Sequence, residues 1–413
     1  MVDVAAMSKI AEEEPIQTPN KKPDPLKSYL DYYKDLDRPG YAVLVTGEWG
    51  VGKTYQVQKV LAPEEYIYVS LFGLSSQAEV YGAVFARTDP AAFKRDKIAT
   101  WFDNKTVSAL GFSIPAGSVL SAALNATVRQ WVDNKKTIVF DDLERCLIEP
   151  NILFGIINSY VEHFECKVVV IANEEKISAG FNAVKEKVFG QTIRVLPHAD
   201  EALVEFIKQF KPPQTAFLNK KLPIVRALFS KSECHSLRVL RQVLNDAIRF
   251  ESLFDSKQIN NEEKFNALFQ LFIATDIEVK SGNLERKDLS DRLKQYVVNH
   301  VRKDKKDVST EAENKFLISR AKFENFVEME SSILGDTQLI EMTVDGIYSE
   351  VSVQDHLASI LFFAEPLEQP AWLRFMNFRT NSNEVVDTAA IEMDKQFVDR
   401  SCDDLGEFLH IVS

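Results

Sequence analysis

Tyr41-Ala-Val-Leu-Val-Thr46 runs straight into Gly47-Glu-Trp-Gly-Val-Gly-Lys53-Thr54. The first stretch is almost continuously apolar, the pattern of a parallel strand buried on both faces. The second satisfies G-x-x-x-x-G-K-[ST] without a mismatch. Its glycines let the backbone curl so that successive N–H groups converge on one anion. A helix opening near Lys53 adds the positive end of its dipole. Lys53 then reaches the terminal phosphates of a nucleotide, and the Thr54 hydroxyl ligates Mg²⁺. Gly47, Glu48, Trp49, Gly50, Val51, Gly52, Lys53, Thr54 and Tyr55 are therefore the candidate nucleotide-binding residues, with ATP and Mg²⁺ as the expected ligands. Trp49 is unusual: a bulky side chain inside such a loop must point outward, to a lid, a neighbouring subunit or solvent.

Working outward, four more segments read as strands: Tyr66-Ile-Tyr-Val-Ser-Leu71, Thr137-Ile-Val-Phe140, Lys167-Val-Val-Val-Ile171 and the weaker Thr192-Ile-Arg-Val-Leu196. Helix-length segments separate them. Ser76-Gln-Ala-Glu79 has the form of a capping box. Asn151–Glu165 carries Ile152, Ile156, Tyr160 and Phe164 on one stripe. Leu26, Leu30, Tyr33 and Leu36 recur at helical spacing after Pro25. Alternating strands and helices imply an α/β fold, a parallel sheet with helices on both faces. After Pro197 the pattern becomes helical: Glu201–Phe210, Leu222–Phe229, Ser236–Phe254, Asn261–Ala274, Arg286–Arg302 and Val308–Leu334. Leu339–Val351 is the one strand candidate there. The expected organisation is a flexible tail at 1–24, a P-loop NTPase domain at 25–200, a helical lid at 201–275 and a mainly helical C-terminal domain at 276–413.

Phe140-Asp-Asp-Leu-Glu-Arg145 ends the third strand. A carboxylate at that edge of a parallel sheet lies beside the loop, where ligands bind. Asp141 is the candidate to hold Mg²⁺ with Thr54. A second carboxylate must polarise the attacking water, and Asp142 is the first candidate with Glu144 its competitor. The bland alternative is a helix cap with an acidic first turn. Asn173, after Ile171-Ala, is placed to bond that water or the terminal phosphate, or else is a turn residue. Glu174, Glu175 and Lys176 follow it, so the guanine-reading Asn-Lys-x-Asp is absent and ATP is favoured over GTP. A transition-state cation is sought among Arg145 and Arg238 first, then Arg194 and Arg241. Each is otherwise a solvated or ion-paired arginine.

Composition restricts the rest. The net charge of -12 argues against a general nucleic-acid binder. Cys146, Cys166, Cys234 and Cys402 form no C-x-x-C pair and read as free thiols in a reducing cytosol. His163, His198, His235, His300, His356 and His410 show no metal spacing. Glu12–Glu14 and the lack of an apolar run near the start do not fit a signal peptide, so a cytoplasmic location is expected. Thr106–Val128 is uncharged between Lys105 and Arg129 and reads as a buried or partner-facing helix, membrane contact being the alternative. Arg302–Lys306 is a short basic run, either a solvated face or a phosphate contact.

At Gly47-Glu-Trp-Gly-Val-Gly-Lys-Thr54, Phe140-Asp-Asp-Leu-Glu-Arg-Cys146 and Val168–Asn173 the chain resembles the KAP family of P-loop NTPases, near the STAND ATPases. The resemblance covers about residues 40 to 250. It implies a sheet in which one further strand separates the Asp141 strand from the loop strand. It makes Lys53 and Thr54 phosphate and Mg²⁺ residues, Asp141 and Asp142 the acidic pair, and Asn173 a sensor. Many members carry paired membrane helices between the two motifs; here only Thr106–Val128 falls in that interval. Bacterial members often act against phage. The implied activity is a slow regulatory ATPase, a switch that assembles as a homo-oligomer or acts on a partner effector protein. A non-hydrolytic ATP-binding scaffold is the alternative. A P-loop kinase would need a basic acceptor-binding loop that is not evident, and a nucleic-acid motor would need basic charge.

Overall fold

The computed structural model describes residues 24–88, 134–177, 181–304, 314–364, 369–376 and 382–401, the side chains of 181–184 and 299–304 excepted. Most of the 1–24 tail, Thr106–Val128, Cys402, His410 and the end of the Arg302–Lys306 run lie outside the described residues. The chain divides into two compact units. One holds the residues up to Val204 together with His235–Arg238, the other Glu205–Cys234 and everything from Val239.

The first unit is built on β1 (Ala42–Thr46), β2 (Tyr66–Ser70), β3 (Thr137–Asp141), β4 (Lys167–Ala172) and β5 (Phe189–Arg194). All neighbours pair in parallel, in the order β2-β3-β4-β1-β5. This is the expected α/β fold, with β4 as the further strand between β3 and β1. Every residue of β1 and β3 is buried, as unbroken apolar runs require. Alternation then divides each strand between two cores. Leu44, Ile138, Phe140, Val168 and Val170 pack on one face with Val80, Tyr81 and Phe154. Val43, Val45, Val139, Val169 and Ile171 pack on the other with Leu26, Leu30, Tyr33 and Val57.

Local chemistry starts these helices as the sequence suggests, with small shifts. Asp24 caps Pro25–Lys34 by accepting the Leu26 N–H at 3.0 Å. At Gln77–Thr88 the Glu79 N–H donates to Ser76 Oγ at 3.3 Å. The Glu79 carboxylate returns to the Ser75 N–H at 2.6 Å, one residue earlier than a capping box places it. β5 begins at Phe189 rather than Thr192 because Gly190 admits the Tyr41 ring, which lies 2.5 Å from where a Cβ would stand.

The second unit is helical. Pro212–Lys231, Val239 onward of Leu237–Glu251, and Glu262–Lys280 bring Phe217, Phe250, Phe254, Phe265, Phe269 and Phe272 together, with Phe250 stacked on Phe272 at 4.4 Å. Three expectations are corrected here. Arg286–Arg302 is broken into Arg286–Leu289 and Arg292–Asp304, with Asp291 at φ 56 between them. Of Val308–Leu334, the described part is helical only at Lys315–Lys322. Leu339–Val351 is not a strand: helices Asp336–Thr343 and Glu350–Ser359 flank a turn at Gly346, φ 69. No helix among the described residues is long and apolar enough to cross a membrane.

Candidate functional site

Parallel register brings the carboxyl ends of the strands to one edge. Thr46 is level with Ala172 on one side and Arg194 on the other, and Ser70 is level with Asp141. Gly47 and Asn173 are thus the next residues along two adjacent strands. The Glu174 N–H donates to Thr46 Oγ1 at 3.3 Å and ties the two ends together.

From Gly47 the chain turns through Gly50 and Gly52, both at positive φ (85° and 87°), into the Lys53–Val60 helix. Only glycine takes these angles cheaply. Space is as strict as angle: a Cβ on Gly50 would lie 2.2 Å from Ser236 Oγ. The Leu237 N–H donates to the Gly50 carbonyl at 2.8 Å, and the Leu237 side chain lies against Gly52. The Lys53 ammonium is buried and donates to the Gly47 carbonyl at 2.7 Å and the Glu48 carbonyl at 2.9 Å. Burial pushes its pKa down, against the pull of Glu144, Asp141 and Asp142.

Thr54 Oγ1 donates to Asp141 Oδ2 at 2.6 Å. Tyr68 donates to the same oxygen at 2.9 Å, and the Asp142 N–H to Oδ1 at 2.8 Å. Burial raises the Asp141 pKa, and these bonds oppose the rise. A hydroxyl and a carboxylate side by side are hard oxygen donors of the kind Mg²⁺ prefers. The loop, the Lys53 ammonium and this donor pair fit a Mg²⁺-nucleotide.

Asp142 sits in the left-handed region at φ 58, which turns it off the line of β3. Its carboxylate accepts from Ser70 Oγ at 3.1 Å and lies 3.8 Å from Arg145 Nε. Glu144 instead faces the loop, where Trp49 Nε1 donates to its Oε1 at 2.7 Å. The Arg145 guanidinium lies 5.1 Å from the Trp49 ring centroid and 5.6 Å from that of Phe72. Lys176 Nζ stands 5.8 Å from the Trp49 ring. Trp49 therefore reaches the Asp141–Arg145 segment rather than only solvent.

The remaining sequence candidates scatter. Asn173 is buried at the end of β4, beside the loop. Glu48 lies 3.4 Å from His235 Nδ1. Val51 is buried and Tyr55 is exposed. Arg194 is exposed, 4.0 Å from Glu175. Arg238 is exposed on the first turn after the Leu237 contact. Arg241 belongs to the second unit, bonded to Gln209 at 3.0 Å and over the Phe206 ring. Sequence reading missed Tyr68 and Ser70, which hold the two aspartates. Their signal was the alternation in Tyr66-Ile-Tyr-Val-Ser70, which turns both toward one face. Beside the Lys53–Val60 helix lies a cavity of about 360 Å³ lined by Tyr55, Gln56, Lys59, His198 and Leu237 among others.

Sheet order, loop and acidic edge define a P-loop NTPase fold. No protein-family model and no curated protein sequence matches the chain. Among solved structures it is similar to Cdc6p from Pyrobaculum aerophilum, with 12% identity and a TM-score of 0.35 over 87% of this chain and 99% of that one.

Proposed function

We propose that this chain binds ATP with Mg²⁺ and hydrolyses it slowly as a regulatory switch. The observation that carries the reading is the Thr54–Asp141 pair, at 2.6 Å, set beside a glycine loop whose lysine is buried. Loop N–H groups and the Lys53 ammonium would take the β- and γ-phosphates. Thr54 and Asp141 would hold Mg²⁺, which when bound offsets phosphate charge. The cavity at Tyr55 and His198 would take base and ribose. Asn173 would bond the terminal phosphate or the attacking water.

The finer assignment follows the resemblance at Gly47–Thr54 and Phe140–Cys146: a KAP-type ATPase, cytoplasmic, with defence against phage as the first pathway to test. In this reading the domain runs over 25–200, the 201–275 helices act as its lid and 276–413 as the responding region. Segment His235–Leu237 supports it, because the residues that open one of those helices touch Gly50 and Gly52. Nucleotide state is then read by self-assembly or by a partner effector protein. Light scattering coupled to gel filtration, with and without MgATP, tests this. A change in mass or hydrodynamic radius is expected with ATP and not with GTP. Identical profiles in a sample that binds ATP would refute the switch.

A further inference from the structure

We infer that Glu144, not Asp142, is the water-activating carboxylate, and that Trp49 of the P-loop is its positioning residue. The inference rests on the ATPase reading above and deepens it.

The two carboxylates are built differently. Asp142 is turned aside by its left-handed backbone; Ser70 Oγ of β2 donates to its Oδ2 at 3.1 Å, and Arg145 Nε lies 3.8 Å from its Oδ1. Asp142 is thus held at the end of β2, whereas Glu144 is bonded to the loop itself. One oxygen is held by the Trp49 indole N–H at 2.7 Å. The other, Oε2, is buried and has no hydrogen-bond partner among the described residues. A buried unpaired carboxylate oxygen is costly and calls for a reason. Glu144 is also one of the three carboxylates whose charge favours the Lys53 ammonium.

Trp49 is suited to the task because it is itself held. Cations stand over it from Arg145 at 5.1 Å and Lys176 at 5.8 Å. Its backbone belongs to the loop that wraps the phosphates. Any change in the loop on filling is therefore passed to Glu144 through one hydrogen bond. In the step itself, the water oxygen bonds to the γ-phosphorus as the bond from that phosphorus to the bridging oxygen breaks. The electron pair leaves on ADP. The water proton passes to Glu144 Oε2 and then to solvent, and inorganic phosphate is released.

The test is steady-state MgATP hydrolysis with ATP Kd measured on the same samples. Glu144→Gln should lower kcat by about 100-fold or more. Trp49→Phe, which keeps a ring but loses the donor, should lower kcat about tenfold. Both should keep Kd within about threefold, which separates a lost contact from a collapsed loop. In the double variant the Trp49 change should add nothing, because it acts only through Glu144. Asp142→Asn should fall less than Glu144→Gln. If wild type hydrolyses ATP while Glu144→Gln matches it, or if the two losses multiply, the inference is overturned and the ATPase reading stands. If wild type binds no ATP, both fall together.

Discussion

Both units of this chain bury charge, and they use it differently. In the first unit Lys53 and Asp141 are buried at an open edge of the sheet. Their partners there are loop carbonyls, a threonine hydroxyl and a tyrosine. A phosphate or a cation can replace or join such partners. In the second unit Arg292 and Glu278 are consumed by the fold. Arg292 donates to Asp336 Oδ1, to the Met329 carbonyl and to the Leu334 carbonyl. Glu278 accepts from Ser319, Lys322 and Asn283. Buried charge alone does not mark a site; buried charge with exchangeable partners does.

The contrast can be broken most forcefully at Arg292. Arg292→Ala removes the side-chain donor to two carbonyls and to Asp336 Oδ1, and should cost about 3–5 kcal/mol in chemical denaturation. ATP affinity in the folded protein should not change. A cost below about 1 kcal/mol would mean that this charge is not consumed by the fold.

Asp276 gives a smaller, pH-dependent effect. Its carboxyl is pushed up from 3.8 to about 7 by burial, with Lys280 pulling down and Asp246 pushing up. Lys280 Nζ lies 3.2 Å from Asp276 and 2.7 Å from Asp246. The folded state therefore holds this proton more tightly than the unfolded chain does. Stability associated with it is full below about pH 4 and is lost as pH rises toward 7, by at most about 4 kcal/mol. Asp276→Asn should flatten that fall. An unchanged pH profile would show that Asp276 does not titrate there.

The smallest effect belongs to the first unit. Tyr68→Phe removes one of two donors to Asp141 Oδ2 while Thr54 remains. Stability should drop by about 1 kcal/mol, with ATP affinity lowered no more than a few fold. Loss of all binding would mean that Tyr68 belongs to the binding machinery itself.

What could be read in the sequence divides along similar lines. β1 and its loop were legible because burial on both faces forces an unbroken apolar run, and phosphate geometry fixes the glycine spacing. β5 was harder: among the described residues it pairs only with β1, and it exposes Gly190, Gln191 and Arg194. The expected Leu222–Phe229 helix is the C-terminal part of a longer one, Pro212–Lys231, which continues through Pro223 although prolines normally stop helices. The different orientations of Asp142 and Glu144 were not legible in the sequence because they depend on one backbone angle, φ 58 at Asp142. Spacing does not record such an angle. The Trp49–Glu144 bond spans 95 positions, and no local pattern announces it.

In the proposed function the buried Lys53 waits on a nucleotide phosphate. Isothermal titration of MgATP into wild type and Lys53→Ala tests it most directly. Wild type should bind with micromolar or tighter affinity, about −8 kcal/mol. Lys53→Ala should lose about 100-fold or more while its thermal unfolding stays close to wild type. Equal affinity in the two proteins, or no binding by wild type, would contradict the account.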